Sequence, residues 1–410
     1  MVFSIKPQNL LTTILLLASG SSGLGQTGPQ LNAIQSAVPF LTISPDARNS
    51  ALGDAAVASP GDNNSQHWNS ARYPFAESRG GLSYSYVPWQ RSLINDIQLH
   101  YLSGYFKIND RHVISTSYRK FSLDGIVFTG SYGSPQGVYI PEEFALDLGY
   151  SRKFGNNFAL GFVLRYIESD LTGGTRIGGS QVQAAKALAA DLGFLYQNSD
   201  ITIGEMKSRL GVGLNISNVG NKISYTETSE GAFLPGNLRI GTAFSLIFNE
   251  NHSLTLMSDL NKLMVPTPPV YEVDSLGRTI LGPNGNPIIA HGKDPNVSVM
   301  RGTFQSFWDA PGVLKDDGSR SRFREVMHEI TWGMGLEYWF REMITLRIGY
   351  LQQHETKGNR KYISLGTGIR SKYLSLDVSY WIPKIDDNPM KKTFHITLAA
   401  QIDPLLDILK

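Results

Sequence analysis

Apolar and polar residues alternate along fourteen stretches of the chain, and the connections between these stretches alternate short and long. In 144–151, Phe144, Leu146, Leu148 and Tyr150 share one parity, while Ala145, Asp147, Gly149 and Ser151 share the other. In 158–166, Phe158, Leu160, Phe162, Leu164 and Tyr166 repeat the pattern. Successive side chains of a strand point to opposite faces, so each stretch has one apolar face and one polar or small face. The pattern predicts strands over 81–87, 95–107, 112–121, 144–153, 157–168, 187–197, 208–217, 237–248, 252–262, 330–341, 342–352, 360–371, 372–383 and 392–402. A soluble sandwich also alternates in this way. Many strands of about 9–11 residues with aromatics near their ends favour an all-β transmembrane barrel of 14 antiparallel strands, its apolar face in lipid.

The connections support this reading. Residues 108–111, 153–157 and 249–251 and the corners at 340–342 and 370–372 are tight turns, whereas 122–143, 169–186, 218–236 and 263–329 are long. Bacterial barrels have short periplasmic turns, long outer loops and an even strand number. With the N-terminal segment and the C-terminus periplasmic, every long connection falls outside. The segments 88–94, 353–359 and 384–391 are short for outer loops, and 198–207 is long for an inner turn. The 263–329 segment carries seven prolines, among them Pro268 and Pro269, and ends near Arg320, Arg322 and Arg324. A loop this long without evident elements reads as a partner-binding loop or lid, or as a mobile surface loop.

Trp89, Tyr101, Tyr105, Tyr150, Tyr166, Tyr196, Tyr338, Trp339, Tyr350, Tyr380 and Trp381 lie near strand ends, where amphipathic rings suit the membrane interfaces. The polar parity carries Asp147, Asp191, Asp259, Glu337 and Asp377 together with Arg119, Arg165, Arg239 and Arg347. An Arg or Lys on the lipid face near the midplane costs about 2–4 kcal/mol, so these residues are expected in the lumen. There they would form an ion-pair network that holds a plug and narrows the lumen, with a permeation pathway as the alternative.

The first 25 residues read as a secretory signal: Lys6, a short apolar core over 10–18, and small residues before Gln26. That core is too short to span a bilayer, and no later segment approaches the necessary apolar length. Residues 26–79 lack strand alternation and contain Pro39, Pro45, Pro60 and Pro74, which suggests a plug-like N-terminal segment of short helices and turns. The strands occupy 80–403, leaving 404–410 as a periplasmic tail. Export without an apolar helix, combined with amphipathic strands, points to the outer membrane of a Gram-negative cell.

Composition narrows the remaining choices. The formal net charge is +2, so no nucleic-acid footprint appears. Cysteine is absent, which excludes thiol catalysis, cysteine metal sites and disulfides. His328-Glu329 has no second spaced histidine, and Gly173-Gly174 and Gly178-Gly179 lack the strand-to-helix setting of a phosphate cradle. Asp316-Asp317-Gly318 is a fragment of a calcium loop without the remaining ligands. No cofactor or metal is expected, and no enzyme.

Two segments carry a resemblance. The first holds Pro45-Asp46-Ala47-Arg48, Leu52-Gly53-Asp54-Ala55 and Trp68-Asn69-Ser70-Ala71. The second holds Ser85-Tyr86-Val87-Pro88-Trp89 and Asn95-Asp96. Together they resemble the PorV family of type IX secretion outer-membrane proteins of Bacteroidetes, itself similar to FadL-like 14-stranded barrels with an N-terminal hatch. The resemblance implies that residues 26–79 form the hatch. It also implies that Trp68, Asn69, Ser70 and Ala71 form the hatch motif, with Ser70 standing where Pro is usual. It further implies a docking role: cargo bearing a C-terminal sorting domain passes from the giant type IX translocon barrel to a sortase-like cell-surface attachment complex. The implied partners are those three and outer-membrane lipid. The alternative is a FadL-type channel for hydrophobic small molecules.

Overall fold

The structure is a computed structural model that describes residues 31–403, apart from 93–95, 124, 130–134, 175, 178–179, 227–230 and 386–387. The expected signal (1–25), the tail (404–410), Asn95 and Gly178-Gly179 lie outside the described residues.

Fourteen strands close into an antiparallel barrel. They are β1 (Gly80–Pro88), β2 (Gln98–Lys107), β3 (His112–Ser122), β4 (Glu142–Phe154), β5 (Phe158–Asp170), β6 (Ala185–Ile203) and β7 (Met206–Gly220). Then follow β8 (Asn237–Asn249), β9 (His252–Leu263), β10 (Ile330–Phe340), β11 (Ile344–Gln352), β12 (Lys361–Arg370), β13 (Leu374–Pro383) and β14 (Phe394–Gln401). Each pairs with its sequence neighbours, and β1 pairs with β14 to close the ring, with Gly81 opposite Gln401 and Tyr86 opposite Ile396. All fourteen expected stretches are strands.

The two parities separate as the alternation requires. Leu146, Leu148, Phe162, Leu164, Leu256 and Leu398 are exposed on the outer face. Ala145, Asp147, Ser151, Ala159, Val163 and Arg165 are buried inside. An exposed apolar belt on a closed barrel is a lipid-facing surface, and among the described residues no helix is long and apolar enough to cross a membrane.

The aromatic expectation holds for only part of its set. Tyr150, Tyr196 and Tyr380 are exposed, but Trp89, Tyr101, Tyr105 and Trp381 are buried, and Trp339 shares the inward parity of Glu337 on β10. Nearness to a strand end does not decide which way a ring points; parity does. The inward rings pack on the N-terminal segment: Trp381 stacks on Tyr362 at 4.2 Å and donates to the Ser50 carbonyl.

One end of the barrel carries tight turns and the other carries the long loops. The connection expected to be awkward, 198–207, is a long hairpin: β6 and β7 continue to Ile203 and Met206, across an irregularity at Asn198/Ile201. The 264–329 excursion is folded. It contains helices α3 (Val299–Gln305) and α4 (Arg322–His328) and small hairpins pairing Val270 with His291 and Val313 with Ser321. Gly318, at a φ of 78°, lies in the turn of the second hairpin, so Asp316-Asp317-Gly318 serves as a corner there.

The N-terminal segment runs through the barrel from the loop end to the turn end. At the loop end the Asn32 amide donates to the Thr356 carbonyl and the Ala37 amide to that of Phe233. Short helices follow: a 3-10 turn at Pro39–Thr42, α1 (Ala47–Ser50), α2 (Ser65–Trp68) and a 3-10 turn at Ser70–Phe75. Helix α1 packs on β12–β14, and the second 3-10 turn on β3–β6. The segment leaves at the turn end, where Ser78 bonds Asp403. We refer to this lumen-filling run as the hatch.

Short turns on the periplasmic side give an expected outcome. The chain has no cysteine, so single cysteines report cleanly. In intact cells an impermeant maleimide is expected to label Asn286→Cys and Leu31→Cys, and to spare Asn109→Cys and Asn156→Cys. Leu31 is 78% exposed at the loop end, so its labelling tests the hatch path separately from the loops. The reverse pattern inverts the barrel.

Candidate functional site

The lumen is where the charged side chains converge. On β5, Arg165 lies directly opposite Asp147 of β4. Its guanidinium donates to Asp147 (Nε–Oδ1 2.7 Å) and to Asp191 of β6 (Nη2–Oδ2 3.0 Å), and it also bonds Asn218. On the other wall Arg347 of β11 lies opposite Glu337 of β10, binding it at 2.7 Å and reaching Asp377 at 2.6 Å. Asp377 sits on β13, so this bond crosses β12. It can do so because β12 has Gly368 there: a Cβ at Gly368 would lie 2.1 Å from Asp377 Oδ1.

The hatch completes the second network. Arg48 holds Glu337 through Nε at 2.9 Å and Nη2 at 2.8 Å, and holds Asp62 at 2.8 Å. Asp62 also takes Arg72, which is fully buried and donates to the Ser59 and Pro60 carbonyls. The result is a chain of alternating charge, Arg72–Asp62–Arg48–Glu337–Arg347–Asp377, from hatch to wall. Buried charges are tolerable only when paired and fully hydrogen-bonded.

The remaining candidates make no ion pair with one another. Asp259 accepts the hatch amides of Ala56 and Val57 at 2.7 and 2.8 Å. Arg119 donates to the carbonyls of Phe40 and Leu41 and to His67 Nδ1. Arg239 lies over the Trp68 ring at 4.8 Å. The charged positions form two separate ion-pair clusters plus three independent clamps on the hatch.

The Trp68–Ala71 quartet sits at the centre of these contacts. The Trp68 indole donates to Asp46 at 2.6 Å, and Asp46 also caps α1 through the Asn49 amide at 2.9 Å. Asn69 donates to the Val57 and Phe194 carbonyls and accepts the Ala71 amide. It lies against β6 at Gly193, where a Cβ would come within 2.2 Å of its Oδ1. The Ser70 carbonyl accepts from Ser151 of β4 at 2.8 Å. Arg48, Asp62 and Arg72 were not among the charges expected in the lumen. A signal was available: with Asp46 and Asp54 they are the charges of a stretch otherwise rich in Ala, Ser, Asn and Gly, with no strand parity to carry them outward.

At the loop end a second buried cluster caps the lumen. Lys262 of β9 binds Glu329 at 2.5 Å, and Lys357 binds Glu325 at 2.7 Å and Glu329 at 3.2 Å. Thr267 and Asn32 add bonds to Glu329 and Glu325. The excursion, the 353–360 loop and the chain entering the hatch are thereby joined. Beside this cluster His328 of α4 and His354 stack face to face, 3.5 Å apart.

The hatch separates two cavities that share no lining residue. One of about 410 Å³ opens at the turn end against Arg48, Asp62, Trp339 and Arg370. One of about 100 Å³ lies between hatch and cap.

With this geometry in place, comparison with known proteins is informative. A family model described as "Type IX secretion system protein PorV" matches residues 26–270, which is the hatch, β1–β9 and the start of the excursion. The chain belongs to the PorV family. As a PorV-family protein it is an outer-membrane component of the type IX secretion system. No curated protein matches the chain. Among solved structures it is similar to a Pseudomonas aeruginosa FadL homologue, at 14% identity over 91% of this chain and 99% of that one, with a TM-score of 0.43. It is also similar to the P. putida toluene transporter TodX, at 12% identity over 87% and 96%, with a TM-score of 0.43.

The PorV-like motifs of the sequence coincide with the hatch-fixing contacts: Asp46 and Arg48 in the first motif, and Trp68 to Ala71 in the third. Asp54 of the second accepts from Tyr362 at 3.1 Å.

Two outcomes are expected. Arg165→Met strands two buried carboxylates, and removing one partner of a buried ion cluster costs about 3–5 kcal/mol. Urea unfolding in lipid vesicles measures this, and adding Asp147→Asn and Asp191→Asn should recover much of the loss. The second outcome concerns pH. Burial, the facing ring and cations at Arg324 and Lys357 push His328 below its ordinary 6.5, against Glu325. Burial with Lys361 and Lys357 does the same to His354, against Glu355. Depressed histidines stabilise the folded state while neutral, so this stabilisation is present above pH 6.5 and lost as pH falls below it. Hydrogen exchange of 322–329, normalised to an unstructured peptide, should accelerate between about pH 7 and pH 5. His354→Gln should flatten the change.

Proposed function

We propose that this barrel is a non-conducting docking protein. It receives cargo through the C-terminal sorting domain at the giant translocon barrel and passes it to the sortase-like attachment complex at the cell surface, without catalysis of its own. The observation that carries the reading is the filled lumen in a protein of a secretion family. A hatch tied to the wall by Arg48, Asp259, Arg119 and Asn69 leaves the outer surface as the working surface.

That surface offers something to bind. On the excursion Met300, Phe304, Trp308, Leu314, Phe323 and Met327 are 43–76% exposed. Clustered exposed apolar side chains mark sites of association. Met300 and Phe304 are one helical turn apart on α3, and Phe323 and Met327 on α4, so each pair lies on one helix face. The hydrophobic-solute channel draws less support, because the hatch fills the lumen and the inward wall mixes charged and polar side chains such as Arg165, Asp191, Asn215 and Ser217 with apolar ones such as Leu99, Ile167 and Met257.

The test is genetic and electrical. Deleting the gene, in a strain with no paralogue, is expected to stop cargo with the sorting domain from reaching the surface. Deleting about half of 264–329 with its ends joined should leave a folded barrel, since loop length adds little to closure cost, and should weaken capture of cargo. The purified barrel should conduct poorly in planar bilayers. Normal cargo display without the gene, or a large steady conductance, makes the channel the better reading.

A further inference from the structure

The lipid-facing wall of the barrel carries a shallow groove of about 460 Å³ on β9–β12. Strand register orders its lining. Met334, Tyr350 and Ile363 stand level with one another, and Leu256, Leu336 and Ile348 form the next level towards the turn end. One level nearer the loop end Trp332, 39% exposed, lies opposite Gln352. Beyond it, β10 begins at Ile330, where α4 ends. The groove therefore lies in the apolar belt and leads up past an outward tryptophan to the loop end, which is the outer side.

Cations gather at that upper end. Lys384 is exposed and lies over the Tyr350 ring at 4.6 Å, and its amide donates to the Lys361 carbonyl. Lys361 shares the outward parity of Ile363 on β12. Arg322 and Arg324 are exposed on either side of Phe323. None of these four side chains makes an ion pair among the described residues. Over the three loop-end segments of this sector, 313–329, 353–361 and 384–392, cations outnumber carboxylates by ten to seven. Helix α4 also turns an apolar side away from the lumen. Its Glu329 lines the cavity between hatch and cap, and Glu325 takes Asn32 of the chain entering the hatch. At 3.6 residues per turn, Phe323 and Met327 lie about 160° from Glu325, on the opposite side. Phe323 is 76% exposed. Lys262, outward by parity on β9, is buried against Phe307 and Glu329, so the excursion covers the outer rim there as well as the lumen mouth.

A groove in the lipid belt takes an acyl chain, and unpaired cations above it call for an anionic headgroup. We propose that this sector is a binding site for one anionic lipid of the outer leaflet with a phosphate headgroup. Its chain lies in the groove, its phosphate meets Lys384 and Arg324, and Phe323 and Met327 rest at the headgroup boundary. Bound there, the lipid ties the excursion to the membrane surface and leaves Met300 and Phe304 of α3 for protein. The inference rests on the lipid-facing belt and not on the docking reading.

The test uses the full-length protein. In detergent, native mass spectrometry with an equal mixture of phosphatidylglycerol and phosphatidylcholine of the same chains should show one retained phosphatidylglycerol per barrel. Lys384→Gln and Arg324→Gln should each lower that preference about fivefold. Ile348→Trp fills the groove with a larger apolar side chain and should eject the lipid; Ile363→Trp replaces it if heat-modifiable mobility on gels shows no barrel. In phosphatidylglycerol vesicles, an environment-sensitive dye on Phe323→Cys should shift to the blue and be quenched by lipid spin-labelled at the top of its chain, whereas the same dye on Phe304→Cys reads water. Equal retention of the two lipids, or retention that survives filling of the groove, overturns the proposal. So does a dye at 323 that reads water in vesicles and is shielded only by bound cargo, which assigns α4 to a protein partner. Cargo display is measured separately in cells, so failure here leaves the secretion reading standing.

Discussion

A backbone amide left unpaired in hydrocarbon costs several kcal/mol, and this constraint organises the molecule. Thirteen of the ladders join sequence neighbours and would leave two open edges. The fourteenth, between β1 and β14, removes both. Closure fixes everything downstream: once the ring is shut, one parity of every strand faces lipid and the other faces a confined interior that something must fill.

The hatch fills it, and its fit depends on what the inward parity lacks. The wall beneath it is largely Gly, Ala and Ser, so hatch backbone lies directly on the strands. Asn69 against Gly193 is one such contact. Into this small-residue lining are set a few long charged side chains. The Arg165 cluster is matched within the wall, but others are matched from the hatch side: Glu337 to Arg48, Asp259 to two backbone amides, Arg119 to two carbonyls. Such buried polar networks are weak evidence for stability and better understood as registration. A hatch displaced by one residue would take Arg48 from Glu337, leaving two wall carboxylates, Glu337 and Asp377, with Arg347 alone. The lumen therefore specifies one position of the hatch.

At the loop end the same logic applies with different elements. Glu325 and Glu329, one helical turn apart, receive lysines from β9 and from the 353–360 loop. This turns a long excursion into a fixed cap while leaving Phe304, Trp308 and Phe323 outward. A fixed base with exposed apolar tips suits the docking role proposed above.

The strand set was legible from sequence because a sheet with one apolar face imposes a period of two, as in Phe158, Leu160, Phe162 and Leu164, and fourteen such stretches with alternating short and long connections suit a barrel better than a sandwich. The inward placement of Asp147, Arg165, Glu337 and Arg347 followed from the same parity. Parity has no information about distance, however. That Arg165 pairs with two aspartates while Arg239 pairs with none depends on register and on the hatch, both of which are long-range. The burial of Tyr101 and Trp381 was equally hidden, since strand-end position suggests an interface whereas facing direction follows from the closed ring. The family motifs marked Asp46, Arg48 and Trp68–Ala71, yet their joint work as a clamp arises only when residues 46 and 68 meet through the indole bond and Arg48 reaches a wall nearly three hundred residues away. Local alternation determined the elements of this protein. The partners of its buried charges were decided by the tertiary structure, because they are set by strand register and by a hatch whose position in the lumen the strands themselves do not encode.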